Sequence, residues 1–370
     1  MRIPIRWKPT WGIERRLRAV SLVLAAGLAY AAAGGATPTY AASGTLYGLN
    51  VTGPGGGALV DGHFWVSDHL GAFCRMDAGV PGSFPAPNGE AICYIGSTPS
   101  TTKDRPPQDG QPSWDTAANL VYVPDYKSNS RGVWRFTYSP QTQKIVDTGT
   151  IIAPNAGLGG LRPDATALGP DGNLYVGSLN TGDIKRVSNP AGDPFTQVVQ
   201  TIGKSAQGKR VFGLAFVGND LYLAETNGFT VIHNATSPSC TGGCQAVHVP
   251  GAGTAETDAV VSDGVDTLYF AQAGTVYRYT ISTGAVVAYA NAGTLTPDQT
   301  AMSEQNPNAL LWNMGCSGSS CPFVFPPGEP SDLTLDAQGN LYVGDDPGIA
   351  SGLNVRGRIW QIPAGSPPLG

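Results

Sequence analysis

The stretch Arg162-Pro-Asp-Ala-Thr-Ala-Leu-Gly-Pro-Asp-Gly-Asn-Leu-Tyr-Val-Gly177 decides the fold. It predicts a short strand, an Asp-Gly turn and a second strand with alternating apolar residues, which together form a β-hairpin. Gly182–Val187 predicts a third strand directly after it. The same design returns at Pro330–Val343 and is followed by a strand at Gly357–Ile362. The phrase is therefore a repeat whose unit has at least three strands.

Weaker copies of this phrase lie at Ala58–Val66, Pro112–Val123, Phe212–Leu223 and Asp258–Phe270. Each copy carries an aromatic marker in its second strand, and these markers are 47 to 73 residues apart: Trp65, Tyr122, Tyr175, Tyr222, Tyr269 and Tyr342. Such recurrence is typical of propeller blades. We predict an all-β, six-bladed β-propeller, with a seventh blade near Ala309–Trp312 as the alternative. A strand at Gly44–Asn50 is expected to pair with the last blade and close the ring.

Composition excludes one class of partner. The chain has 22 basic and 27 acidic residues, a net charge of -5, and no basic cluster beyond its first residues, so we expect no nucleic-acid binding. Its 50 glycines and 30 prolines fit many short strands joined by tight turns.

The first 41 residues have the parts of a signal peptide. Basic residues between Arg2 and Arg18 precede the apolar run Ala19–Ala33, and small-residue cleavage patterns lie at Ala29–Ala31 and Thr39–Ala41. A single membrane anchor is the alternative. We expect residues 1–41 to be removed and residues 42–370 to form one propeller domain, secreted or periplasmic, monomeric and without a membrane span.

Six cysteines in an exported chain indicate disulfides. Closeness in sequence suggests three pairs: Cys74 with Cys93, Cys240 with Cys244, and Cys316 with Cys321. The spacing Cys240-Thr-Gly-Gly-Cys244 fits neither the usual zinc motifs nor haem attachment.

The repeated phrases resemble those of the NHL-repeat and gluconolactonase-like (senescence marker protein) propellers over most of the mature chain. The resemblance to the lactonases implies one divalent cation, calcium, zinc or manganese, held in the central funnel by Glu, Asn and Asp side chains. Asp164 matches the aspartate of the family's Pro-Asp-Gly motif, and Asp258 has the equivalent place in its own copy. The family's glutamate position holds Gly110, beside Asp109, and the equivalent place in the fourth copy is assigned to Val211.

Two functions stay open. The first is a binding propeller that takes a small molecule or a protein at its face, without a cofactor. The second is a metal-dependent lactonase or esterase that uses Asp164 and Asp258, with Asp109 or Asp115 as further candidates. Both aspartates also have a structural interpretation, as turn caps at strand starts. Four carboxylates that follow second strands are predicted to organise the next loop: Asp68, Asp125, Glu225 and Asp345.

Overall fold

The computed structural model describes residues 45–51, 54–68, 72–76, 92–95, 98–99, 110–126, 131–154, 156–206, 210–241, 243–291, 329–346 and 357–369. The predicted signal peptide, Asp109, Cys316, Cys321 and the alternative blade at Ala309–Trp312 lie outside these residues. Within them, no helix has the length and hydropathy of a membrane-spanning segment.

The described strands form six sheets, which we number in chain order. The chain begins with β1 (Thr45–Val51). Sheet one contains β2 (Pro54–Val60), β3 (His63–Asp68), β4 (Ala72–Met76), β5 (Ile92–Ile95) and β6 (Thr98–Pro99). Sheet two contains β7 (Ser113–Asp115), β8 (Leu120–Asp125), β9 (Gly132–Ser139), β10 (Lys144–Ile145) and β11 (Thr150–Ile151).

Sheets three and four are the most regular part of the repeat. Sheet three contains β12 (Pro163–Leu168), β13 (Leu174–Ser178), β14 (Asp183–Val187) and β15 (Val199–Lys204). Sheet four contains β16 (Val211–Val217), β17 (Asp220–Glu225) and β18 (Gly228–Ile232). The connection that follows adds β19 (Cys244–Gln245) to sheet three, parallel to β15, and β20 (Val247–His248) to sheet four. Short 3-10 helices lie at Leu158–Leu161 and Pro238–Cys240.

Sheets five and six complete the ring. Sheet five contains β21 (Thr257–Ser262), β22 (Thr267–Gln272), β23 (Thr275–Thr280) and β24 (Ala285–Asn291). Sheet six contains β25 (Glu329–Leu335), β26 (Leu341–Asp346) and β27 (Gly357–Ile362). Strand β1 pairs antiparallel with β27, so the first strand of the described chain is the outer strand of the last sheet, as predicted.

The six sheets are arranged in a ring. The first strand of each sheet contacts the first strand of the next, and β25 contacts β2, which closes the circle. We call these six strands the inner strands: β2, β7, β12, β16, β21 and β25. The β-propeller prediction is therefore confirmed.

Apolar side chains fill the spaces between neighbouring sheets. Five described clusters join sheets one and two, two and three, three and four, four and five, and five and six. Tyr175 and Tyr342, predicted to be buried, expose 0% and 5% of their surface on the second strands of sheets three and six. A sheet with two apolar faces needs such neighbours, since neither face is covered within one repeat.

The described residues include two of the three predicted cysteine pairs. Cys240 and Cys244 form a disulfide, as predicted. Cys74 on β4 and Cys93 on β5 are direct partners across the two strands. Opposed residues of antiparallel strands have Cα separations within the range that a disulfide spans, so this register is compatible with the predicted pair.

Candidate functional site at the mouth of the ring

One end of the ring collects the starts of the inner strands. Gln111 and Ala165 form a parallel bridge, so the inner strands of sheets two and three run in the same direction. Each second strand is antiparallel to its inner strand and therefore ends at this same end. We call this end the mouth.

The pairing of inner and second strands is irregular at equivalent places. One extra residue interrupts the register near the start of the inner strand in five sheets: Gly55, Asp164, Phe212, Asp258 and Ser331. Bulges of this kind redirect side chains and occur often beside functional sites. Asp164 and Asp258 therefore occupy equivalent positions, as their sequence offsets predicted. In sheet four the structure assigns Phe212 to this place and corrects the expected Val211, because that hairpin is one residue shorter.

Asp164 and Asp258 lie on alternate sheets, with Phe212 of sheet four between them. The Asp164 side chain is buried and Asp258 is partly exposed. Within the described residues, no group of three His, Cys, Asp or Glu side chains could hold a metal ion. The described residues thus do not by themselves complete the cation site that the family resemblance implies.

Gln111 crosses the central channel next to the mouth. Its side-chain amide donates to the carbonyl oxygens of Leu214 and Val260 at 3.1 and 3.3 Å, and its Oε1 accepts from the Leu214 amide at 2.8 Å. Sheets two and five are opposite in a ring of six, so the bond to Val260 passes over the axis. Residues equivalent to Gln111 on four other inner strands are small: Gly56, Ala165, Gly213 and Ala259.

Glycine is required in this layer because the strands approach so closely. A Cβ atom at Gly56 would lie 2.3 Å from the carbonyl oxygen of Gly110, and one at Gly213 would lie 3.1 Å from Oε1 of Gln111. The channel is therefore closed at this level by the Gln111 side chain and the surrounding backbone. We call this layer the floor.

The sixth residue of the floor is Asp332 of β25, which is 2% exposed. Burial raises the pKa of its carboxyl to about 7, although hydrogen bonds from the amides of Gly57 and Leu333 favour the charged form. Its Oδ2 atom has no hydrogen-bond partner in the described part of the chain. The floor therefore contains an acid that can gain or lose a proton near neutral pH.

Residues at the ends of the second strands hold neighbouring segments in place; the one predicted loop carboxylate with a described bond, Glu225, contacts the segment before its inner strand and not the next loop. Ser178 Oγ donates to the carbonyl oxygen of Leu161 at 2.7 Å, and Gln272 Nε2 donates to the carbonyl oxygen of Ala255 at 3.0 Å. Glu225 Oε1 accepts from the Ala206 amide at 3.3 Å. Each bond fixes the segment that leads into the same sheet. Burial raises the pKa of Glu225. Hydrogen bonds to its carboxylate, including the one from the Ala206 amide, partly offset this increase.

The other candidates fall into turns or outside the site. Asp115 Oδ1 accepts from the amides of Ala117 and Ala118 at 3.0 Å and so caps the first hairpin turn of sheet two. This turn connects β7 to β8 at the end opposite the mouth. Sequence reasoning assigned no role to Gln111 and Asp332. Asp332 stands inside a repeat phrase and Gln111 directly before one, at a position where the other copies have Gly or Ala. That break in the repeat was the available signal.

Comparison with known proteins supports the fold. No protein-family model and no curated protein matches the sequence. The PQQ-bound aldose sugar dehydrogenase of Streptomyces coelicolor superposes with a TM-score of 0.52 at 15% identity, covering 88% of this chain and 99% of that one. A Trichoderma reesei enzyme of carbohydrate-active family AA12 gives 0.52 at 11% identity, covering 89% and 99%. A Xanthomonas campestris gluconolactonase gives 0.48 at 14% identity, covering 90% and 99%, too weak a likeness to carry an argument. At these identities the likeness is one of fold alone.

Proposed function

We propose that this ring, with one blade for each of its six sheets, is an exported monomeric propeller that binds a small molecule at its mouth. The observation that carries the proposal is a closed floor below a polar rim. Gln111 closes the channel, and Asp164 and Asp258 stand at equivalent bulges near the strand starts. A concave site with few, fixed polar groups is the usual form of a ligand pocket. The closed floor favours a small molecule over an inserted protein segment.

A metal-dependent hydrolase of the lactonase type is the second candidate. The observation that favours it is the equivalence of Asp164 and Asp258 in the strand register. Their carboxylate oxygens are the ligand type that calcium and manganese prefer. This candidate requires further oxygen ligands beyond these two side chains.

A ligand screen with matched variants tests the binding proposal. A molecule that raises the unfolding temperature of the wild type through binding at the mouth should lose its effect in Asp164→Asn or Asp258→Asn. Asp193→Asn, on an exposed turn of sheet three, is the control and should respond like the wild type. Ligand-induced stabilisation that persists in both mouth variants contradicts binding at this end.

Calorimetric titration with calcium, zinc and manganese tests the hydrolase candidate, together with an assay on a panel of lactones. Cation binding that is lost in both mouth variants and kept in the Asp193 control supports it. A wild type that binds no cation and opens no lactone eliminates it and leaves the binding function.

A further inference from the structure

Arg162 is a cation at the mouth that forms no ion pair within the described residues. It directly precedes β12, and its guanidinium carbon lies 5.4 Å from the centre of the Tyr126 ring, which follows the second strand of sheet two. Its Nε is buried without a hydrogen-bond partner, and no described residue forms an ion pair with it. Stacking on an aromatic ring fixes the plane of a guanidinium but leaves its N–H donors unused.

Arg135 and Arg186 form hydrogen bonds within and between the sheets. Arg135 donates to the carbonyl oxygens of Pro190 and Gly192, at 2.8 and 2.6 Å. Arg186 donates to the Gln200 side chain at 2.6 Å. Both stand opposite the marker tyrosine of their own sheet, on the third strand. Arg162 instead precedes the inner strand of its sheet, in the place that Arg210 has in sheet four, and its side chain forms no such bonds within the described residues.

The backbone at Arg162 is held in a conformation that residues other than glycine rarely adopt. Its φ is 51°, in the left-handed region, where a Cβ atom approaches the following carbonyl oxygen too closely. The Arg162 carbonyl oxygen accepts from the Leu179 amide at 3.0 Å and so helps to hold this conformation. Strained residues that persist in a fold are concentrated at functional sites.

We propose that Arg162 binds the carboxylate group of a small organic acid at the mouth, with Tyr126 holding the guanidinium in place. The inference rests on the proposed binding function and names the chemistry of its ligand. A guanidinium with free donors matches a planar carboxylate through two parallel hydrogen bonds. The acidic residues Asp164, Glu256 and Asp258 stand at or beside the bulges of the same rim. Their charge disfavours a dianion such as phosphate and leaves a monoanion as the better ligand.

Two probes that differ at one terminal carbon test this proposal. Gluconate has a carboxylate there, and glucitol has an uncharged CH₂OH group. Binding is followed through the NMR signal of the Arg162 Nε–H, assigned by its disappearance in Arg162→Lys. Gluconate should shift this signal saturably, and glucitol should not. Arg162→Gln should weaken gluconate binding about tenfold or more, as expected for loss of a charge-assisted hydrogen bond. Arg162→Lys should restore part of the affinity.

Arg278→Lys is the matched control. Arg278 also stacks on a tyrosine, with 5.8 Å from its guanidinium carbon to the Tyr289 ring centre, but it lies in the middle of β23. This variant should bind gluconate like the wild type. Equal binding of gluconate and glucitol, both lost in Asp164→Asn and kept in Arg162→Gln, overturns the carboxylate subsite while the mouth remains a binding site. An Arg162 signal that gluconate does not shift overturns the subsite as well.

Discussion

Gln111 shows how one residue can close a channel that six sheets build. Its amide bonds to strands on the far side of the ring, where Leu214 and Val260 belong to sheets four and five. All three bonds are made by a side chain that shares the floor with four glycine or alanine residues and Asp332. The amide thereby saturates backbone groups at the axis that no ladder partner reaches.

Gln111→Ala should therefore destabilise the whole ring. The substitution leaves one amide and two carbonyl groups without a partner, and each unsatisfied buried group costs about 1–3 kcal/mol. Urea unfolding followed by circular dichroism measures the loss. Gln338→Ala, in an exposed turn of sheet six, is the control and should leave the midpoint unchanged. Equal midpoints for both variants would show that Gln111 does not hold the floor together.

Asp332 should make stability depend on pH. Its carboxyl has a pKa of about 7 in the folded chain, above the ordinary value near 4, so the folded state favours the protonated form. This stabilising contribution is complete below about pH 4 and is lost as the pH rises through 7. A difference of one pKa unit corresponds to about 1.4 kcal/mol.

Asp332→Asn removes this titration. We expect the variant to gain stability relative to the wild type as the pH rises from 4 to 8, measured by denaturant unfolding at each pH. Other buried carboxyls such as Glu225 titrate in both proteins and cancel in the difference. Gln338→Ala, which changes no titratable group, should give a flat difference. A flat difference for Asp332→Asn as well would contradict a titrating acid in the floor.

At the scale of the element, the hairpin phrase contains most of the information for its own fold. In sheet three the hydroxyl of Tyr175 donates to Asp171 of the turn at 2.9 Å, and in sheet six Tyr342 donates to Asp336 at 3.2 Å. In each hairpin an aspartate of the turn thus also holds the buried tyrosine of the second strand. Because these partners are close in sequence, the strands and turns could be predicted from the phrase alone.

Tyr175→Ala should cost about 3–5 kcal/mol, as expected for truncation of a large buried aromatic side chain. The ring packs edge-on against Phe216 of sheet four at 4.8 Å, so the loss affects two sheets. Tyr175→Phe keeps the ring and removes only the bond to Asp171, and should cost about 1 kcal/mol. Thermal unfolding of the two variants measures both effects. An alanine variant as stable as the phenylalanine variant would contradict the packing role of the ring.

At the scale of the whole molecule, the mouth and floor could be predicted only in part. The repeat offsets of Asp164 and Asp258 correctly indicated equivalent places. The crossing of Gln111 to Val260 joins residues from separate repeats, and nothing in either repeat specifies which side chain reaches over the axis. Arg162 stands within the phrase, yet the absence of an ion-pair partner for it among the described residues depends on the assembled mouth and not on the local sequence.

The closing strand was predictable, because Gly44–Asn50 reads as a strand that precedes the first repeat. Strand β1 supplies the outer edge of sheet six through five paired positions from Thr45 to Val51, with two irregularities. Removal of β1 would expose the edge of β27. Sheets one and six would then be joined only through the contacts of β2 with sheet six, which include the hydrogen bond from the Gly57 amide to Asp332. An exposed strand edge is a template for pairing with another chain.

Deletion of Thr45–Val51 from the chain that begins at residue 42 should therefore have two effects. The unfolding temperature should fall, because the ladder with β27 is lost and the ring is held at one fewer place. The protein should also associate as its concentration rises, because the edge of β27 is free to pair. Circular dichroism melts and sedimentation at several concentrations measure the two effects separately.

A matched variant that lacks only residues 42–44 keeps β1 and should remain a monomer with the melting temperature of the parent chain. If the deletion variant matches this control in both measurements, β1 does not close the ring, and the contact between β2 and β25 is sufficient.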